Sequence, residues 1–577
     1  MNTNSYYKIF FEKPFTHYCD VEIRVPLLEP IQNKEAVIFS MPVWTPGSYL
    51  VREFARNVEQ VKAYGSRGDQ LIVAKVNKNS WKVNARNQEE LVIKYKVYCN
   101  EISVRTCEIN TDHAFLVGAG IFMYVKGLED SKCLLEINLP EGWKKISTGL
   151  SKVSAHCYSA ENYDELIDCP LEIGNHKVIE FSVWDITHYI CIFGEGNYVE
   201  EVIIRDIKKI VEEQIKFFGE IPYKEYTFLI RLLDKGMSGL EHANSFAIHF
   251  DRWGFNDKKL YKKFLSLVSH EFFHLWNCKR IKPAEFCPYD YENEIYTKSL
   301  WVVEGWTSYF DILFVKRSGL FSKEDYFSSL DKRVNDVLKY QGRSFQTLED
   351  SSFDTWIKFY RKDENFNNAQ ISYYTKGALV ALMLNLEIIK STNANYSFDD
   401  VIKELYENYK RDVRKGFTAE QVKEIFERIS GKNLDEFWNK YVCGTDELPL
   451  EEYLESAGLK MENTNADNHV SLDIETVVEN GKLILTKVFA GGSAYESGLN
   501  ANDEILSLNG QKVNGETLEN RLKDFSVGDS IEITIFRDGS LKNVNVNLLP
   551  HLPNYKIIET KEKNNSQMMI LNKWLEG

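Results

Sequence analysis

Along roughly the first 185 residues, apolar and polar positions alternate with a period of two. In LVIKYKVYC, Leu91, Ile93, Tyr95, Val97 and Cys99 fall on one face, with Lys94 and Lys96 on the other. CLLEINLP repeats the pattern with Cys133, Leu135, Ile137 and Leu139. This is the strand period, so the segment reads as an antiparallel sandwich or saddle-shaped sheet. Beyond about Asp185 the period lengthens. Ile203, Ile207, Val211, Ile215 and Phe218 recur at helical spacing and stop at Gly219, a glycine placed where helices end. Strand-like EYTFLIRLL and SFAIHF follow, and from Lys258 to about Val442 helices dominate, including LYKKFLSLVSHEFFHLW, TKSLWVVEGWTSYFDILFVKR and YYTKGALVALMLNLEIIK. Polar ENTNADN, residues 462–468, marks a linker, after which alternation returns in KLILTKVF and SIEITIFRDG. The last ~25 residues are polar with an apolar tip, MMILNKWL, and read as a tail that docks or frays. Strands, then a mixed region, then helices predict a multidomain α+β protein.

Length agrees: 577 residues exceed what one hydrophobic core holds, so three or four domains are expected. Net charge is −15 and no Lys/Arg-rich run occurs, which argues against a nucleic-acid partner. No stretch of eighteen apolar residues exists, so no membrane span is expected. The N-terminus has no basic region followed by an apolar one and a small-residue cleavage site. The ten cysteines are scattered without a CxxC pair. Together these features point to reduced thiols and a cytoplasmic location.

The chemistry concentrates in SHEFFHLWN. On a helix, His270 and His274 lie one turn apart on one face, where both imidazoles reach one tetrahedral Zn²⁺. Glu271 then stands beside the open coordination position as a general base. The bland alternative is a surface helix with incidental polar residues. Phe264, Leu265, Leu267, Val268, Phe272, Phe273, Leu275 and Trp276 leave little solvent-facing arc for that. Two histidines and a glutamate in so apolar a helix are costly unless mutually satisfied or metal-bound. Among downstream carboxylates, Asp290, Glu292 and Glu294 sit in a polar loop and need no explanation. Glu304 lies in SLWVVEGWTSYFDILF, an apolar run with no cation before Lys316, and is the expected third ligand. Gly305 beside it permits close helix approach. His249, Cys278 and His113 read as satisfied core or supporting residues, while Arg52, Lys279 and Arg280 either neutralise an acidic site or hold domains together.

HEFFH-x-W followed by WVVEGWTSYF is similar to gluzincin peptidases, and WNCKRIKP, PYDY, MPVWTPGSYLVREFARNV and HAFLVGAGIFMYV narrow the likeness. The chain resembles the glycyl aminopeptidase family, PDZ-containing metallopeptidases distantly similar to aminopeptidase N and leukotriene A4 hydrolase. The resemblance implies an N-terminal β-sheet domain (1–185), a thermolysin-like catalytic domain with a helical half (186–461), a PDZ domain (469–552), a tail (553–577) and one Zn²⁺ per chain. SGLEH, residues 238–242, is similar to the exopeptidase motif that ends in Glu-Asn. Glu241 would therefore bind a free α-amine, with Gly239 and Leu240 beside it contacting substrate; His242 stands in place of the Asn. Without the resemblance Glu241 reads as a strand-edge glutamate. YYTKG resembles the signature whose tyrosine donates to the oxyanion, here Tyr374, with Tyr373 as the alternative to it and a merely packed tyrosine as the bland reading.

GGSAYESGLNANDEILSLNGQKV looks like a PDZ domain of the bacterial-protease type, with Asn509-Gly510 as a hairpin turn. Such a domain takes a peptide C-terminus by strand addition. Residues 470–490 hold no GLGF-like carboxylate loop, so a structural lid is the other expectation. The function expected is a zinc aminopeptidase acting on peptides with a free N-terminus; the resemblance implies glycine or alanine as first residue. The alternatives are an endopeptidase of the same fold and a PDZ-based adaptor with an inactive peptidase domain.

Overall fold

The structure is a computed structural model that describes residues 4–27, 31, 34–465 and 470–577. Residues 466–468 of the expected linker, and position 469 where the PDZ domain was expected to begin, lie outside the described residues. The chain forms two compact units: Met1–Ile295 with Tyr409–Gly416, and Tyr296–Asn408 with Phe417–Gly577.

The first unit opens with an eight-stranded sheet whose centre is Ser5–Phe10, Tyr18–Pro26 and Glu90–Tyr98. Pairing is antiparallel except where Ser5–Phe10 runs parallel to Cys133–Asn138. Alternation does what the sequence predicts: Leu91, Ile93, Tyr95 and Val97 are buried while Lys94 is exposed. Two four-stranded sheets share its core. A further five-stranded sheet has the order Lys177–Val183, Ile186–Phe193, Glu225–Leu233, Ser245–Asp251, Ser238–Glu241. Its three middle strands are parallel and its last, Ser238–Glu241, is an antiparallel edge. Glu225–Leu233 is buried throughout its interior, as expected for an unbroken apolar run covered on both faces. The helix Glu200–Phe218 ends at Gly219, whose φ of 77° and N–H bond to Ile215 O close it. Helix Lys258–Phe273 starts at Asp257, whose carboxylate accepts from Lys259 N and Leu260 N.

In the second unit, helix Tyr373–Ser391 is the buried centre of the helical part. Past it, strands Leu459–Asn463 and Tyr555–Glu559 pair antiparallel and bracket a six-stranded sheet. That sheet carries the helix Gly515–Leu522 and its own apolar core. Asn509 and Gly510 both have positive φ, 48° and 73°, at the predicted hairpin. The C-terminal residues Asn565–Glu576 form a helix that buries Ile570, Leu571, Trp574 and Leu575. No described helix is long and apolar enough to cross a membrane.

Candidate metal centre and active site

In the first unit the apolar helix delivers His270 from its last turn and His274 from its C-cap, whose N–H still bonds His270 O at 3.2 Å. The two Nε2 atoms face each other 3.1 Å apart. Two imidazoles sharing a tetrahedral zinc, each bonded at about 2.0–2.1 Å, bring their nitrogens to about 3.3 Å. His274 Nδ1 meets Asn277 O at 2.8 Å, which commits that nitrogen as donor and leaves the Nε2 lone pair for a metal. The pair fits a divalent transition metal.

Glu271, 5% exposed, lies against the edge strand. A Cβ built on Gly239 would stand 1.9 Å from Glu271 Oε1, so this glycine is required by the carboxylate beside it. Two residues on, Glu241 is 3% exposed, and a Cβ on Gly47 would meet its Oε1 at 2.5 Å. Gly47, with φ of 85°, is a turn that only glycine adopts readily. The Cys278 thiol donates to Glu241 Oε1 at 3.5 Å. Behind Glu241 lies a buried ion network. Lys279 Nζ meets Asp168 Oδ1 at 2.7 Å, and Asp168 also accepts from Ala243 N at 2.8 Å and faces His242 Nδ1 at 3.3 Å. Burial opposes the charge of Asp168, but Lys279 and His242 overcome it and hold the carboxyl below its usual range. Arg105, from the loop after Glu90–Tyr98, donates through Nη2 to Gly239 O at 2.9 Å and ties down the edge strand.

Glu241, His274 and Cys278 also place donor atoms within 4.8 Å of one another. Since His274 Nε2 faces His270 and its Nδ1 is committed to Asn277, the paired imidazoles are the better metal donors. His113 and His249 are core residues, 0% and 4% exposed, as expected. Burial, with Arg231 and Arg105 nearby, lowers His249 to about 4. Arg280 donates to Leu275 O and Pro222 O at 2.7 and 2.8 Å, so its role is to brace the turn after the histidine helix.

In the second unit Glu304 is 2% exposed and lies in a π turn, Trp301–Gly305, that runs into helix Trp306–Arg317. A Cβ on Gly305 would meet Gly377 Cα at 2.7 Å and Tyr373 O at 2.8 Å. The close approach expected of Gly305 is made backbone to backbone with the tyrosine helix. Of the two tyrosines, Tyr373 is fully buried and its hydroxyl is 2.9 Å from Thr355 Oγ1. Tyr374 is half-buried, its ring stacked on Phe359 with centroids 5.3 Å apart.

Gly47, Arg105 and Asp168 escaped sequence reading as site residues. Only the Pro-Gly turn at Gly47 carried any local signal.

The M61 peptidase N-terminal domain model matches residues 6–175, the M61 glycyl aminopeptidase model residues 263–380, and a PDZ domain model residues 470–548. A crystal structure of an aminopeptidase N family protein from Idiomarina loihiensis is 30% identical, covers 99% of this chain and 100% of its own, and superposes with a TM-score of 0.91. An M1 zinc metallopeptidase from Deinococcus radiodurans is 11% identical, covering 78% of this chain and 95% of its own at a TM-score of 0.48. Carboxy-terminal processing protease CtpB of Bacillus subtilis (strain 168) is 27% identical over 124 residues, 21% of this chain and 26% of that protein. The fold and the matched models define the class, a metallopeptidase. Within it, the chain belongs to the M61 glycyl aminopeptidase family.

Proposed function

We propose that this protein is a zinc aminopeptidase that removes small N-terminal residues, glycine or alanine, from peptides. One observation carries the reading. Gly239, which touches the base Glu271, and Glu241 lie two residues apart on one strand, about 6.6 Å at the strand rise of ~3.3 Å per residue. An ammonium held by Glu241 therefore leaves room for about one residue before the bond that Glu271 serves. A buried carboxylate at that distance selects a free amine and rejects an internal segment.

His270, His274 and Glu304 are the ligands in this reading, one zinc per chain. Zinc, when bound, polarises a scissile carbonyl and acidifies water. Glu271 accepts the proton of the attacking water and returns it to the leaving amine. Tyr374, half-buried, donates its phenol to the oxyanion; Tyr373, fully buried, is the weaker candidate. Glu241 holds the N-terminus, with the Gly239–Leu240 backbone beside it and Arg105 fixing that backbone from behind.

A peptide and its N-acetylated twin test the reading. The wild type cleaves only the free peptide and Glu241→Gln loses that preference, whereas equal wild-type rates on both would make this an endopeptidase. Glu271→Gln retains zinc without turnover; stoichiometric zinc with no hydrolysis in the wild type would favour the adaptor reading. At the PDZ domain, the edge strand Ile474–Glu479 is exposed over Glu475–Glu479 and suits main-chain strand addition. Buried Asp473, just before it, accepts from His551 Nδ1 at 2.6 Å and from Leu552 N at 3.3 Å. An acid at that place disfavours capture of a terminal carboxylate, so any peptide there is held by its backbone.

A further inference from the structure

The PDZ domain of the second unit is joined to the helical part by more than its two connecting strands. Asn368 is 8% exposed, and its carboxamide behaves as an extra strand residue. Nδ2 donates to Val488 O at 2.8 Å and Oδ1 accepts from Ala490 N at 2.8 Å, at the corner where the PDZ strand Lys482–Val488 ends. The neighbouring Phe489 ring packs on Tyr340 with centroids 4.7 Å apart. The connecting strand that leaves the domain is clamped in the same way: Asn335 Nδ2 donates to Tyr555 O at 2.8 Å, and its Oδ1 accepts from Tyr555 N at 2.6 Å. With Ile557 N donating to Asp331 Oδ1 at 2.7 Å, that strand is fixed to the helical part at two points.

Asn368 lies six residues before Tyr374, and the intervening segment is pinned throughout. Gln370 N bonds Phe366 O at 2.7 Å, and a Cβ on Gly342 would collide with Gln370 O at 2.0 Å. Ile371 N donates to Gln346 Oε1 at 3.0 Å, while Ile371 O accepts from Ser351 Oγ at 2.8 Å. Ser372 then caps the helix through Thr375 N at 3.3 Å. A short segment fixed at every second residue transmits the position of its anchor to its end. Here the anchor is a PDZ corner and the end is the first turn of the tyrosine helix.

We infer that the PDZ domain is a built-in positioning element for the catalytic tyrosine, and that Asn368 is the positioning residue that couples them. The inference rests on the role given to Tyr374 above. It makes the PDZ domain part of the active enzyme even with no peptide on its edge strand. Losing a donor of this kind lowers turnover about 10²–10³-fold, and displacing one by ~1 Å costs up to about 10²-fold.

The test is a double-mutant cycle on the full-length, zinc-loaded chain with an aminoacyl anilide. Asn368→Ala is expected to lower kcat about 10- to 100-fold with KM within about twofold, zinc content unchanged and cooperative melting retained. In a Tyr374→Phe background the same substitution changes kcat by less than about twofold, because the group it positions is gone. Should Asn368→Ala fold poorly, Asn368→Ser and Asn368→Asp complete the cycle; Asn368→Asp keeps the acceptor for Ala490 N but loses the donor to Val488 O. An undiminished effect of Asn368→Ala in a slow Tyr374→Phe enzyme would show general loosening and overturn this inference alone. So would a wild-type kcat in Asn368→Ala. A wild-type rate in Tyr374→Phe would remove the tyrosine from the proposed function, and this coupling with it.

Discussion

Gly239→Ala is the sharpest perturbation the site offers, since it adds one methyl group and no charge. The new Cβ would lie 1.9 Å from Glu271 Oε1, 2.4 Å from its Cδ and 2.8 Å from its Cγ. Ordinary contact begins at 3.4 Å, so the carboxylate must withdraw by about 1.5 Å. The strand has no reason to move. Gly239 is not among the positive-φ residues, it pairs with Ile248, and its carbonyl stays bonded to Arg105. The flexible side chain yields instead, leaving global stability within about 1 kcal/mol of wild type, aided by the lower unfolded-state entropy of alanine. Turnover does not escape. A general base displaced by more than ~1 Å loses about 10²-fold in kcat/KM, or about 2.7 kcal/mol of transition-state stabilisation. The assay pairs kcat/KM on glycyl and alanyl anilides with zinc content and a thermal melt. Expected is a folded, metal-loaded and slow enzyme. A Gly239→Ala enzyme within about threefold of wild type would refute the claim that Glu271 works from its place against this strand.

Two further predictions concern buried bases. Lys376 is 1% exposed, its Nζ has no hydrogen-bond partner among the described residues, and burial lowers it to about 8, with Glu447 opposing the shift and Arg343 adding to it. The folded value lies below the unfolded 10.5, so the charged amine weakens the fold below pH 8, and that penalty is relieved as pH rises from 8 towards 10.5. Lys376→Met should therefore raise urea stability at pH 7 by roughly 3 kcal/mol and flatten the rise between pH 8 and 10; an unchanged midpoint at pH 7 contradicts it. His176, His188 and His249 are each lowered by burial to about 4 from 6.5. The unfolded chain binds more protons in that window, so the first unit loses stability as pH falls from 6.5 towards 4, by up to roughly 3 kcal/mol per histidine. A flat urea midpoint across that range would refute it, and His249→Gln should reduce the slope.

What was legible in the sequence was whatever depends on neighbours along the chain. The strand faces around Leu91–Val97, the stop at Gly219 and the Asn509-Gly510 turn follow from periodicity and backbone preference, and the structure forms each. Glu304 stood out because an apolar helix had to explain a carboxylate, although the π turn that carries it left no mark in the periodicity. From sequence the C-terminal segment reads as docking or fraying; in the structure it is a helix that buries Ile570, Leu571, Trp574 and Leu575, spaced to share one face. What escaped was whatever reaches the site through tertiary folding. Arg105 is 134 residues from Gly239, and Asp168 is 111 from Lys279. No local pattern distinguishes such an arginine or aspartate from the many on the surface.

The Asp168–Lys279 pair also shows why placing a charge differs from merely supplying it. The proposed amine site sets a carboxylate in a buried place, and a buried charge calls for an opposite charge nearby. A lysine bonded directly to Glu241 would stabilise it but would occupy the position of the substrate's ammonium. Lys279, its side chain 4% exposed, is bonded to Asp168 at 2.7 Å, and it feels Glu241 only through the field. Its own charge persists because Asp168 and Glu241 together outweigh burial. Among the described residues Glu241 meets the Cys278 thiol at 3.5 Å and lies against Gly47, where a Cβ would stand 2.5 Å from Oε1. A thiol is a poor donor that an incoming ammonium outcompetes, and a glycine brings no side chain to fill the space. The proposed site thus has a positive charge close by that is bonded to another carboxylate. Such an arrangement suits the proposed role of Glu241 as the receptor for a cationic chain end.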